Sequence, residues 1–143
     1  MTPPRPILRL GWAFHKALFR ASGGRIGARR AGEGLGTLFL VSKGRKSGTT
    51  RRNALFYVED GQNFVVVASN AGADVDPAWW LNLQAAPDAE AMLGPRRIPV
   101  TARAAAPEER ARLWPRLDRA NPEYARYREK ATREIPIVIL EPR

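Results

Sequence analysis

Residues 37–68 hold three strand-like runs joined by connections too short to cross a sheet. Thr37-Leu38-Phe39-Leu40-Val41 leads into the turn Lys43-Gly44-Arg45-Lys46-Ser47-Gly48, and Arg52 to Glu59 forms a second run. Asp60-Gly61 makes a tight hairpin turn, with glycine supplying a positive φ, before Phe64-Val65-Val66-Val67-Ala68. Parallel neighbours need a crossover of about a dozen residues or more, so these strands pair antiparallel. The third run is apolar at every position, which predicts burial on both faces.

The rest of the chain adds helices without a βαβ alternation. Pro77 opens a short helix over Ala78 to Ala85, proline being favoured at a first helical position. Residues 89–105 read as a further hairpin through Gly94-Pro95. Pro107, Glu108 and Glu109 start a helix with acids at its positive end; it runs toward Leu117, with a kink expected at Pro115. Asn121-Pro122 breaks it, Glu123 to Thr132 is helical again, and Ile135 to Leu140 is a closing strand. This order predicts an α+β domain, mainly antiparallel β, a sheet or barrel with inserted helices, over residues 35–143. Ahead of it, residues 1–34 read as a basic amphipathic helix over 7–20 followed by a Gly/Arg-rich linker.

Charge is concentrated at the front. The net charge is +10, and residues 1–52 alone carry 12 basic side chains against Glu33. An anionic partner is therefore expected to meet the first third of the chain: nucleic acid, a membrane surface or a polyanionic small molecule. Solubility is the plain alternative. Within the first helix, Arg5, Arg9, Lys16 and Arg20 fall on one side, with Ile7, Leu10, Phe14, Ala17 and Leu18 opposite. Such a helix either docks on its own domain or lies on a lipid surface. No run is long and apolar enough to span a bilayer, and Arg9, His15 and Lys16 interrupt any secretory signal core, so a cytoplasmic location is expected. With no cysteine and a single histidine, disulfides, thiol catalysis and cysteine-ligated metal are excluded, and a serine–histidine–aspartate triad is disfavoured. Asp74 and Asp76 lack the further ligands a metal would need.

Four strings could carry chemistry. Gly44-Arg45-Lys46-Ser47-Gly48, with Arg51 and Arg52, combines a turning backbone, a hydroxyl and cations, a combination able to cradle phosphate although it is not a P-loop; a plain basic turn would look the same. Ala68-Ser69-Asn70-Ala71-Gly72 follows the buried strand, where small polar residues can line a site or simply turn. Trp79 and Trp80 lie about 100° apart on a helix, so one can face the core and the other a pocket. Tyr124 and Tyr127 share a helix face and could roof a planar ligand, or serve as core packing.

In order, these strings resemble the deazaflavin-dependent nitroreductase family of actinobacteria, the F420-dependent quinone reductases. The matching run is Gly44-Arg45-Lys46-Ser47-Gly48, Arg51 and Asn53, Val67 to Gly72, and Pro77 to Leu83. It continues through Glu108-Glu109-Arg110, Tyr124 and Arg133-Glu134-Ile135-Pro136. The resemblance implies a split β-barrel of the flavin-mononucleotide-binding type and coenzyme F420 as cofactor, with flavin mononucleotide the lesser candidate. It implies hydride transfer from the reduced deazaflavin to a quinone, nitro or enone acceptor. By the same resemblance Arg45, Lys46, Ser47, Gly48, Arg51 and Asn53 belong to the cofactor site, the first five at the phosphate. Val67, Ala68, Ser69, Asn70 and Ala78 to Asn82, which include Trp79 and Trp80, border the ring. Tyr124 closes the pocket, Ser69 and Tyr124 are the expected catalytic groups, and Phe56, Trp80, Asn121, Tyr124 and Tyr127 face the acceptor.

The chain departs from nitroimidazole-activating members at Asn121, Trp80 and Phe56, where tyrosines occur, which favours quinones over bulky nitroimidazoles. A cofactor that carries its own reactive atom suits a chain with no cysteine and one histidine. The alternatives are a non-catalytic deazaflavin carrier and a basic nucleic-acid-binding protein; the latter lacks a recognition helix or RNA-binding aromatic signature. Pairing into a homodimer and peripheral contact with the inner face of the membrane are further expectations.

Overall fold

The computed structural model describes residues 35–143; the expected helix over 7–20 and the linker to residue 34 lie outside the described residues. Six strands close into an antiparallel barrel: β1 (Gly36–Lys43), β2 (Thr50–Asp60), β3 (Asn63–Val67), β4 (Asp88–Leu93), β5 (Arg96–Ala104) and β6 (Ile137–Pro142). Around the barrel the order is β1-β2-β3-β6-β5-β4, with β4 returning to β1. Three helices are inserted: α1 (Ala78–Ala85), α2 (Pro107–Ala120) and α3 (Glu123–Lys130). The α+β barrel with peripheral helices matches the expectation from sequence.

The period-2 pattern sorts side chains between two cores. Leu38, Leu40, Leu55, Tyr57, Phe64, Val66, Val138 and Leu140 fill the barrel. Val58, Val65, Ile137 and Ile139 point the other way, under Leu113 and Leu117 of α2 and Tyr124 of α3. β3 is thus buried on both faces, as its unbroken apolar run predicts.

Strand register fixes a polarity. The short connections, at Asp60-Gly61 and Gly94-Pro95, lie at one end of the barrel. At the opposite end lie the β1–β2 loop, the β3–β4 connection with α1, and the β5–β6 connection with α2 and α3. That loop-bearing end is therefore built from residues 44–49, 68–87 and 105–136.

Helix α2 ties both ends together. At its start Ala106 cannot cap with its side chain, so Glu109 reaches back and accepts the Ala106 N–H at 2.8 Å. The same carboxylate takes two hydrogen bonds from Arg103 on β5, at 2.6 and 2.9 Å, and Arg103 also donates to Glu141 on β6. Further along, Arg112 grips Asp60 through two hydrogen bonds, and Arg116 donates to the Glu59 carbonyl at 2.6 Å. Helix α2 runs through Pro115 to Ala120 and is capped by Asn121, where Asn121-Pro122 is expected to break it. Pro115 and Ala111 are exposed, so the carbonyl that proline leaves without an N–H partner faces water. Helix α3 ends at Lys130 rather than Thr132, because Asp74 takes the Thr132 N–H and hydroxyl. β6 begins at Ile137, two residues after the expected Ile135.

Arg103, aided by the Ala106 N–H, holds the Glu109 carboxyl down at about 2 against an ordinary 4.5. A depressed carboxyl contributes stability above its ordinary pKa and loses it as pH falls toward the native value. Wild type should therefore exceed Glu109→Gln in urea midpoint at neutral pH, with the gap closing as pH drops from about 4.5 to about 2. A gap independent of pH would refute this role for Glu109.

Candidate functional site

A cavity of about 360 Å³ opens at the loop-bearing end. Gly44, Arg45, Lys46, Ser47, Arg51, Arg52 and Asn53 form one wall, and Ala78, Trp79 and Asn82 of α1 the other. Three sequence segments meet there for local reasons. The β1–β2 loop is pinned at its base by Gly44, whose N–H donates to the Thr49 carbonyl at 2.8 Å. A Cβ at Gly44 would stand 3.1 Å from the Arg51 Nε, so the missing side chain gives that guanidinium room against the loop. The hydroxyls of Ser47 and Thr49 hydrogen-bond to each other.

Asn82 joins the two walls. It is 5% exposed, and its Oδ1 accepts both the Arg45 N–H at 3.1 Å and the Arg45 guanidinium at 3.0 Å. Below the rim, the Ser42 hydroxyl is buried with no hydrogen-bond partner among the described residues. A buried polar atom without a partner costs free energy unless a ligand or water meets it.

The electrostatics single out this loop. Among the described residues, most arginines outside this loop are paired with acids, including Arg103 with Glu109, Arg112 with Asp60, Arg128 with Asp118, and Arg133 with Asp76. Among the described residues, Arg45, Lys46 and Arg51 have no carboxylate within ion-pair distance. Cations that line a cavity and are not neutralised internally suit an anion from outside.

Of the sequence-derived site residues, the cavity brings together Arg45, Lys46, Ser47, Arg51, Asn53, Ala78, Trp79 and Asn82. Gly48 sits in the same loop, its N–H donating to the Gly44 carbonyl. Both indoles are buried, and Trp79 rather than Trp80 lines the cavity. Val67, Ala68, Ser69 and Asn70 lie at the same end of the barrel but outside this wall. Tyr124 and Tyr127 share a face of α3, ring centroids 6.4 Å apart and nearly edge-on. Tyr124 is packed in the outer core, with Asn121 near its hydroxyl. Phe56 lies midway along β2 on the outward face shared with Ala54 and Val58, away from the cavity wall. Sequence reasoning missed Ser42, which as a small polar residue near a strand end gives no signal. It also assigned no role to Arg133, described below.

A profile of the F420H(2)-dependent quinone reductases matches residues 12–142. An F420H(2)-dependent quinone reductase of Mycobacterium tuberculosis is 38% identical over 137 residues, covering 94% of this chain and 89% of that one. A solved F420-H2 dependent reductase superposes with a TM-score of 0.67 at 35% identity, covering 73% of this chain and 93% of its own. A second solved chain, described as a domain-swapped dimer, has the same TM-score and identity, covering 79% of its own length. The chain belongs to the F420H2-dependent quinone reductase family. It is accordingly an oxidoreductase on a split-barrel fold with coenzyme F420 as its cofactor, as the ordered motifs lead one to expect. The residues present fit such a group: Arg45, Lys46 and Arg51, without an acid partner among the described residues, for its anionic part, and the Trp79 indole for a planar part.

Burial pushes the Tyr124 phenol up to about 12 from 10.0, against the opposing effect of the nearby Asn121 side chain. It therefore stays a neutral donor at physiological pH. Because the folded value is the higher one, Tyr124 contributes stability below pH 10 that is lost as pH rises toward 12. Tyr124→Phe should lose about 1 kcal/mol at neutral pH and decline less steeply between pH 10 and 12. Equal slopes in denaturant titrations of the two proteins would contradict this.

Proposed function

We propose that Arg45, Lys46, Ser47, Gly48 and Arg51 bind the phosphate-bearing part of coenzyme F420, beside a cavity walled by Asn53, Ala78, Trp79 and Asn82. The observation that carries this reading is that Arg45, Lys46 and Arg51 line the cavity without an acid partner among the described residues, where most of the other described arginines are paired. Asn82 holds Arg45 in place before any ligand arrives, which lowers the ordering cost of binding. The β3 end, Val67, Ala68, Ser69 and Asn70, borders the ring on this reading.

When bound and reduced, the deazaflavin supplies the hydride, so the chain need provide neither nucleophile nor metal. The protein's part is placement and polarity. Ser69 donates a hydrogen bond to the acceptor oxygen as charge grows there, and the neutral Tyr124 hydroxyl, with Tyr127, Trp80 and Asn121, bounds the acceptor side. An apolar quinone asks little more of the site than a slot and one donor. The same reading extends to nitro and enone acceptors as lesser substrates.

Two further parts of the reading lie beyond the cavity. The sequence pattern of Arg5, Arg9, Lys16 and Arg20 spaced among apolar residues suits peripheral contact with an anionic membrane, where lipid-soluble quinones reside. A homodimer is supported by the relative described as a domain-swapped dimer.

Arg51→Ala and Lys46→Ala should each weaken binding of oxidised coenzyme F420 about tenfold and flatten its salt dependence, with melting temperature unchanged. Arg97→Ala, an exposed arginine paired with Glu90, serves as the control and should leave binding within about twofold. Equal effects from all three would show a general field rather than a site. Ser69→Ala should lower kcat for quinone reduction about tenfold with little change in cofactor affinity; unchanged turnover would remove Ser69 from the mechanism.

A further inference from the structure

The segment after β3 has a backbone that its own sequence does not favour. Ser69 is right-handed, and then Asn70, Ala71 and Gly72 follow with φ of 47°, 54° and 81°. Glycine accepts that conformation and asparagine tolerates it, but alanine does so rarely. Three consecutive left-handed residues persist only where their surroundings over-determine them.

The surroundings converge on one side chain. Arg133, between α3 and β6, is 16% exposed at its side chain and spans the whole segment. Its Nε donates to the Ala73 carbonyl at 3.0 Å, and one terminal nitrogen donates to Asp76 Oδ1 at 2.6 Å. The other terminal nitrogen donates to the Ala68 carbonyl at 3.2 Å and the Ser69 carbonyl at 3.1 Å. Four acceptors within nine residues are thereby held by one rigid planar fork. Nearby contacts reinforce the same seam. A Cβ on Gly72 would stand 3.2 Å from both the Cα and the carbonyl oxygen of Tyr127, so α3 backs directly onto the turn. Asp74 accepts from the Thr132 N–H and hydroxyl, and Asn70 Nδ2 donates to the Val75 carbonyl.

We infer that Arg133 is a positioning residue: it imposes the left-handed Asn70–Gly72 turn and fixes the Ser69 end of the barrel relative to the tyrosine-bearing helix α3. This rests on the reading of that end as the deazaflavin and acceptor site. Arg133 touches neither partner in this account. It acts through the Ala68 and Ser69 carbonyls before the bend, the Ala73 carbonyl after it, and Asp76 just before the Trp79 helix. A lysine would keep the charge but cannot present four directed donors to these acceptors.

The test compares full-length wild type, Arg133→Gln and Arg133→Lys by three readouts. Amide exchange in the cofactor-free proteins reports the turn through the Gly72 N–H, bonded to the Ser69 carbonyl, and the Ala73 N–H, bonded to the Asn70 carbonyl. In Arg133→Gln both should exchange at least about tenfold faster, with β1 and β6 amides unchanged; Arg133→Lys should lie between. With coenzyme F420, kcat for menadione reduction should fall about tenfold or more and affinity by clearly less, because the phosphate-binding β1–β2 loop is untouched. Unchanged exchange at Gly72 and Ala73 in both variants would overturn the inference, as would faster exchange spread evenly over the barrel. Losses of affinity and kcat in equal measure would also overturn it. Failure of the wild type itself to bind coenzyme F420 would instead strike the reading of the site.

Discussion

The pairing of β3 with β6 closes the barrel, and most of the molecule's geometry depends on that ladder. It joins residues 64–67 to residues 137–140, across a connection that contains α1, two strands, α2 and α3. Both strands are apolar on both faces. One face completes the barrel interior with Phe64, Val66, Val138 and Leu140; the other receives α2 and α3 on Val65, Ile137 and Ile139. Replacing an inward valine would open a cavity in one core, and replacing its neighbour would open one in the other. The Arg133 fork sits immediately beyond the ladder, where Ala68 donates its N–H to the Pro136 carbonyl and the Ala68 carbonyl accepts from Arg133.

Closure in this strand order also decides where function can reside. Every strand is antiparallel to its neighbours, so the two-residue turns collect at one end and the long connections at the other. A rigid barrel with its loops gathered at one end is a suitable base for a site built from distant parts of the chain. The basic β1–β2 loop, the Trp79 helix, the strained turn at Asn70 and the tyrosines of α3 reach the same end by that rule. Charge then separates their tasks. Arg103, Arg112, Arg128 and Arg133 are bound to acids and act structurally, whereas Arg45, Lys46 and Arg51 line the cavity among the described residues without one.

What could be read from the sequence follows the range of the interactions concerned. Local signals were legible: the apolar run at Phe64–Ala68, Pro77 ahead of α1, the acids at the start of α2, and Gly44 to Arg52 as a basic loop. Long-range partners were not. Nothing near Asn82 indicates that it holds Arg45, 37 residues away, and nothing near Arg133 points to carbonyls more than 60 residues earlier. The left-handed turn was hidden because only Gly72 of its three residues advertises a positive φ; Ala71 is forced into it. Composition alone left nucleic acid, membrane and small polyanion as equal explanations of the charge. The ordered motifs and the family match point to the last, and the membrane question attaches to residues 7–20.

If the cations of the β1–β2 loop form the anion cradle of the cofactor, the bound phosphate must lie among them. The most direct measurement is a crystal structure of the full chain grown with coenzyme F420. The cofactor's phosphate should lie within hydrogen-bond distance of the Gly44–Arg51 segment, with Trp79 beside the bound molecule. A cofactor phosphate at the tight-turn end of the barrel, or against the acid-paired arginines of α2, would contradict it.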